Sequence, residues 1–280
     1  MKTLLTTFAF LMVVSFNAQN FQGKAIYKTS RKSNVKFGND KKSTMSDEMK
    51  LKLQARLQKM NQKTYNLDFN KYESVYKQDV ALGAPRTQVG GAQIKMISFG
   101  GGSSAFLYKN IKEKRYAKQT EIQGKRFLIK DQINKKDWVM SSETKNIGKY
   151  TCYKATYTKE VENKKMTIVD GKSEIKTTKE KVTTTAWYTP EIPLSHGPDN
   201  YQGLPGLILE INDGKTTIVC TEIIINPSEK IAITEPKKGK VVSQKKFNKI
   251  QEEKSNELME KFKSRNGMDL GNGINIKMGG

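Results

Sequence analysis

Apolar and polar residues alternate along most of this chain, the period of a half-buried strand. Ala25 and Tyr27 against Lys24 and Lys28 predict a first strand over Phe21–Arg31. Tyr65, Leu67 and Phe69 alternate within Thr64–Lys77, which reads as one or two strands. Short strands follow at Ala105–Lys109, Arg115–Gln119, Lys125–Lys130 and Asp137–Met140, with Gly124 as a turn signal. Gly148–Val161 reads as a longer strand with Thr151, Tyr153, Ala155 and Tyr157 on one side. Lys164–Val169 and Lys172–Thr178 flank Asp170-Gly171, a pair suited to a two-residue type I′ hairpin turn. The Lys and Thr content of that hairpin predicts a solvated arm. Val182–Tyr188, Leu207–Ile211 and Thr216–Ile225 complete the strands, the last two around Asn212-Asp213-Gly214.

Two segments carry the helical period. Ser43 or Thr44 can cap a helix on which Met45, Met49, Leu53, Leu57 and Met60 recur at spacings of three and four. That stripe reads as cover for a sheet face, or as a pliable Met-rich ligand surface. Ser243–Arg265 carries Phe247, Ile250, Leu258, Met259 and Phe262 on an otherwise polar helix that Gly267 ends. Its sparse seam predicts weak packing or projection. Strands at short spacing, flanked by helices rather than alternating with them, predict an α+β, mainly β fold. The expected architecture is a strongly curved antiparallel sheet or partial barrel wrapping a helix, with an inserted N-terminal helix and a C-terminal helix. Residues 19–235 form one domain on this reading, with insertions at 34–62, 79–104 and 158–183. Residues 236–265 form the C-terminal helix, and the Gly- and Asn-rich tail 266–280 is expected to be disordered. The glycines of 79–104 lack a following Gly-Lys-Ser/Thr, so they read as a surface loop and not as a phosphate cradle.

The start of the chain bears on compartment. Lys2, the uncharged run Leu4–Phe16 and then Asn17-Ala18 have the layout of a secretory signal peptide cut after Ala18. The run is shorter than the roughly 20 residues that span a bilayer. No Cys stands at the cut, and no later segment has the length and apolarity of a membrane helix. The expectation is an exported protein, periplasmic or envelope-associated, and not an integral membrane protein.

Charge adds a partner class. The formal net charge is +22. Only six of the 50 basic residues are Arg, and the lysines are spread along the chain. Nucleic-acid sites favour the bidentate Arg fork, so nucleic acid is not expected as a partner. The balance fits a basic solvated surface, or attraction to lipopolysaccharide or phospholipid headgroups.

Chemistry-bearing groups are few. The single His, His196, excludes HExxH and multi-His zinc sites, and neither Gly-x-Ser-x-Gly nor Cys-x-x-Cys occurs. No catalytic residue, cofactor or metal site is assigned. Glu191, His196 and Asp199 are close in sequence and offer a weak metal site or a carboxylate site; His196 reads better as a hydrogen-bonding loop residue. Cys152 and Cys220 are either a disulfide, which the oxidising compartment favours, or two buried thiols.

Four of the seven prolines fall in Ala186–Asn212: Pro190, Pro193, Pro198 and Pro205. Each fixes φ and removes a donor, so this path is a stiff irregular connector. Leu204-Pro205-Gly206-Leu207 suits a type II turn with positive φ at Gly206, and Gly203 allows a second unusual angle or a close approach. The connector reads as a corner that sets strand register, or as a rigid apolar plug or gate over a concave sheet.

Gly203-Leu204-Pro205-Gly206-Leu207-Ile208 is the hexapeptide of the GLPGLI family of exported Bacteroidetes envelope proteins, and the chain resembles that family elsewhere too. Gly148–Thr156 (GKYTCYKAT), Ala186–Pro193 (AWYTPEIP) and Gly197-Pro198 are similar to its other motifs, in its order and spacing. The resemblance implies a small exported envelope protein, in some members encoded near outer-membrane receptors, with no established catalytic residues. Its expected curved sheet is comparable to periplasmic lipoprotein carriers by analogy only. Three functions fit these residues. The first is a non-enzymatic binding or accessory protein that holds an apolar ligand or an outer-membrane partner near Trp187, Tyr188, Tyr201, Leu204, Pro205 and Leu207. The second is a hydrolase using carboxylates near Glu191 and Asp199. The third is a structural protein adhering to anionic envelope surfaces.

Overall fold

The computed structural model describes residues 21–32, 62–79, 106–169, 172–264 and 276–278, with positions 48, 51, 52 and 55. The alternating segments become strands: β1 (Gln22–Arg31), β2 (Gln62–Asn70), β3 (Glu73–Gln78), β4 (Phe106–Asn110), β5 (Arg115–Ile122), β6 (Lys125–Gln132), β7 (Val139–Ile147), β8 (Tyr150–Val169), β9 (Lys172–Thr189), β10 (Leu207–Asn212), β11 (Thr216–Ile225), β12 (Lys240–Val242) and β13 (Ile276–Met278). The one long helix among the described residues is α1 (Gln244–Ser264). The hairpin arm is longer than its sequence segments suggest, because β8 and β9 pair without interruption from Tyr153↔Tyr188 to Val169↔Lys172. The Asp170-Gly171 turn and the signal segment lie outside the described residues.

All thirteen strands belong to one sheet, in the order β12-β6-β5-β4-β3-β2-β1-β11-β10-β9-β8-β13, with β7 also on β8. Its pairs are antiparallel except β12 with β6. The sheet is strongly curved. From β4 to β7 there are eight strand steps, about 38 Å if the sheet were flat. Yet Lys109 on β4 donates to Tyr201 O, and Trp138, which leads into β7, donates to the next carbonyl, Gln202 O. The sheet has curled until both arms close on the same two residues.

What the sheet wraps differs from expectation. Its concave face, which includes Ala25, Leu67, Phe69, Tyr76, Leu107 and Ala186, is filled by the proline connector 190–206, whose Ile192, Leu194 and Leu204 are buried there. Among the described residues, α1 packs at the β6 end, where Phe247 meets Phe127 edge-on at 5.5 Å and Ile250 adds to the contact. The Asp131 carboxylate accepts the Gln244 N–H and Ser243 Oγ accepts the Lys246 N–H, which caps the helix start. Before β12, the chain crosses the convex face. There Ile233 covers Val75, Tyr108, Ala117 and Leu128, and Glu235 pairs with Arg115 and Lys130.

Three further expectations change. The inserted N-terminal helix is not established. Only Glu48, Leu51, Lys52 and Ala55 are described in that insertion, Leu51 is 66% exposed, and the Met-rich stripe lies outside the described residues. The tail is not wholly without structure, because Ile276–Met278 pairs with Lys164–Met166 on a stretch of β8 beyond the end of β7. A strand edge left open in this way is a ready template for pairing. The disulfide is not formed: Cys152 and Cys220 are free and buried. They lie on β8 and β11, which are not neighbours in the sheet, and both belong to the one buried core.

Candidate functional site

The connector 190–206 departs from the sheet at the end of β9 and returns at β10. Its four prolines donate no N–H, and several of the other N–H groups bond within the connector. Leu194 N–H donates to Ile192 O across Pro193, Tyr201 N–H to Pro198 O, and Gly203 N–H to Ser195 Oγ. Leu207 and Ile208 N–H bind Ile192 O and His196 O, which ties the connector to the start of β10. Tyr27 Oη on β1 donates to Ile208 O at 2.7 Å. The two motif glycines have different reasons. Gly203 has φ +97°. Gly206 is not at positive φ, so the expected type II turn is not formed there. A Cβ at Gly206 would lie 2.1 Å from Thr189 O, so the close approach of two backbones is what requires glycine.

Two buried basic side chains hold the connector down. Lys109 is 1% exposed, and its ammonium donates to three carbonyls, Gly197 O at 2.9 Å, Asp199 O at 2.6 Å and Tyr201 O at 3.2 Å. Three donors meet three acceptors, so the buried charge is fully hydrogen-bonded. Burial lowers the Lys109 pKa to about 7, opposed by the attraction of Asp199. His196 is fully buried; its Nε2 lies 2.9 Å from Asn70 O and its ring is tilted against Phe69. Burial, and then the Lys109 charge, push its pKa down to about 3. It is therefore neutral, with the proton on Nε2 donated to that carbonyl. On the other arm, Lys136 donates to Asn200 O at 2.8 Å and Trp138 Nε1 to Gln202 O at 3.0 Å.

The sequence-predicted residues do not line one groove. Leu204 and Leu207 are buried in the core. Trp187 is half-buried under Lys145, whose ammonium is 4.5 Å from the ring and also bonds Glu210. Strand alternation turns Tyr188 to the opposite face from Trp187. Tyr188 is buried and donates to Met140 Sδ, while Tyr201 is half-buried beside Trp138. Pro205 is exposed. Glu191 accepts the Thr151 N–H at 2.8 Å, which fixes the start of the connector to β8. No group of three metal-ligating side chains occurs among the described residues.

Tyr188, Leu204 and Pro205 do meet around Trp138 and Met140, two residues the sequence reading passed over. Lys135–Trp138 and Met140 on one side and Gly203–Pro205 on the other enclose an open depression of about 250 Å³. Beside it Val139 and Met140 are 68% and 61% exposed, and Tyr153 is also exposed. The signal for Trp138 was its rarity, as one of two tryptophans. The signal for Lys109 was its place two residues after Leu107, a charge on the buried side of an alternating strand.

A family model described as "Protein of unknown function (Porph_ging)" matches residues 138–210, about a quarter of the chain. No curated protein matches. Among solved structures, PNGF-II in its C2 and P21 crystal forms aligns with 83% and 82% of this chain, at TM-score 0.47 and 12% identity in both cases. The aligned chain spans 33% of PNGF-II. LprF from Mycobacterium bovis aligns over 79% of this chain and 92% of its own, at TM-score 0.26 and 11% identity.

Proposed function

We propose that this chain is a non-enzymatic accessory protein of the cell envelope, of the GLPGLI type and exported by its N-terminal segment. On this reading its rigid proline turn and the apolar residues beside it form a docking surface for an envelope partner protein. One observation carries the reading. The connector's single His is buried and neutral, Lys109 is caged and Glu191 bonds a backbone N–H, whereas Pro205, Met140 and Val139 are held exposed beside them. The chemistry is spent on holding a shape, and the shape presents apolar surface of the kind that marks interaction sites. The family-matched stretch 138–210 contains every motif of the GLPGLI resemblance and includes Trp138, Met140 and Gly203–Pro205 from the depression.

A photo-crosslinking residue placed at Met140 in the full-length protein, expressed in its own envelope, tests this. The expected result is a discrete protein adduct at position 140 that is absent when the same residue replaces the equally exposed Val241. Equal adducts at both positions, or none at position 140, overturn the reading.

A further inference from the structure

The depression beside the proline turn has a chemistry that specifies its occupant more narrowly. Its apolar lining is Trp138, Met140, Leu204 and Pro205. Trp138 is fixed in place by its bond to Gln202 O and by the rings of Tyr157 and Tyr201 at 5.8 and 6.4 Å. Its charged lining is Lys135, Lys136 and Asp137, two ammonium groups to one carboxylate. Lys135 is almost fully exposed and has only a loose 3.7 Å contact with Asp137, itself almost fully exposed. Lys136 uses one N–H on Asn200 O; burial lowers its pKa, the attraction of Asp199 opposes this, and the repulsion of Lys159 adds to it, so a third lysine and a second carboxylate are felt here.

Size separates the candidate occupants. Small-molecule and cofactor sites enclose about 300–1,000 Å³. At about 250 Å³ and open to solvent, this depression is below that range. It suits one large apolar side chain, the anchor of an interface. An anchor seated on Trp138 and Met140 would bring its neighbours in the partner chain over Lys135 and Lys136, where carboxylates are attracted and ammonium groups repelled.

We infer that the depression at the proline turn receives a single aromatic or leucine side chain from an acidic segment of a partner protein. The inference rests on the proposed docking function and names the chemistry of the partner at that site. Trp138 supplies the readout. In full-length Trp187→Phe it is the one remaining tryptophan. The probes are the acetylated, amidated peptides Glu-Glu-Phe-Glu-Glu, Ser-Ser-Phe-Ser-Ser and Lys-Lys-Phe-Lys-Lys, together with anionic phosphatidylglycerol vesicles. The expected result is a saturable change in Trp138 emission with the acidic peptide in the millimolar range or tighter. It should be at least tenfold weaker with the Ser peptide, absent with the Lys peptide, and weakened at least tenfold by Met140→Asp, whose fold is checked by circular dichroism.

Three outcomes overturn it: no saturation by the acidic peptide, equal response to all three peptides, or a response to vesicles alone. An adduct at position 140 together with an unresponsive acidic peptide would retain the docking function and discard the acidic anchor. Loss of both would discard the docking function as well.

Discussion

Lys109→Met tests the account of the connector, because the lysine is both buried and the link between β4 and three connector carbonyls. The pKa of Lys109 in the folded protein is lowered to about 7 from 10.5. Between those values the unfolded chain binds a proton that the folded protein does not, so wild-type stability rises with pH. From pH 7 to pH 9 the gain is about 2 kcal/mol, since each unit of pKa difference is worth about 1.4 kcal/mol and the folded amine is half neutral at the start. The carbonyl cage favours the ammonium and opposes this, so about 2 kcal/mol is an upper figure. At pH 9 the substitution removes the amine's hydrogen bonds and leaves buried carbonyls unpaired, at a cost of about 2–4 kcal/mol. Met contributes no titration. The gap between wild type and variant should therefore narrow by up to about 2 kcal/mol as pH falls from 9 to 7. Urea unfolding at pH 7, 8 and 9 measures it. A gap that is constant or that widens toward pH 7 would refute the argument that burial dominates the cage.

Two other perturbations address the same connector. Gly206→Ala places a Cβ 2.1 Å from Thr189 O and should destabilise by more than about 3 kcal/mol or prevent folding. Gly214→Ala, at φ +84° in open space, should cost only about 1 kcal/mol in the same urea assay. His196 is the only histidine, so its Hε1 resonance can be followed by NMR without assignment ambiguity. With its pKa lowered from 6.5 to about 3 by burial, the folded protein resists a proton that the unfolded chain accepts. Stability should fall by about 1.4 kcal/mol per pH unit on acidification below 6.5, until about pH 3 or until the protein unfolds. The native Hε1 shift should stay constant from pH 8 to pH 5, and a native titration near pH 6.5 would contradict the buried neutral ring.

Much of the strand content was visible in the alternation itself. Ala25 and Tyr27, or Leu67 and Phe69, are apolar at a spacing of two because one face of each strand is buried, and they appear at 0% exposure. The ends of β8 and β9 at Val169 and Lys172 were legible, but the continuity of each strand was harder to read, since Lys- and Thr-rich stretches carry no hydrophobic contrast. The candidate site was half legible. Leu204, Pro205 and Tyr188 stand within motifs, but Trp138, Met140 and Lys109 join them from β4 and from the segment leading into β7. No local pattern links positions 109, 138 and 204, and only the curl of the sheet brings them together. The expected type II turn at Gly206 fails for a related reason. Local preference allowed positive φ, but packing against Thr189 set the backbone instead.

By itself, the sequence determined the strand periodicity, the stiffness of the proline connector and the presence of a single histidine, because these follow from the properties of each residue and its near neighbours. Tertiary structure alone decided that the sheet curls round the connector and not round a helix, and that the two cysteines are buried and unbonded on strands that do not pair. It also decided that a lysine of β4 is spent as a buried clasp on the connector's carbonyls. These outcomes depend on contacts between residues tens of positions apart, whose energies are set by curvature and burial and are not written in any short stretch of chain.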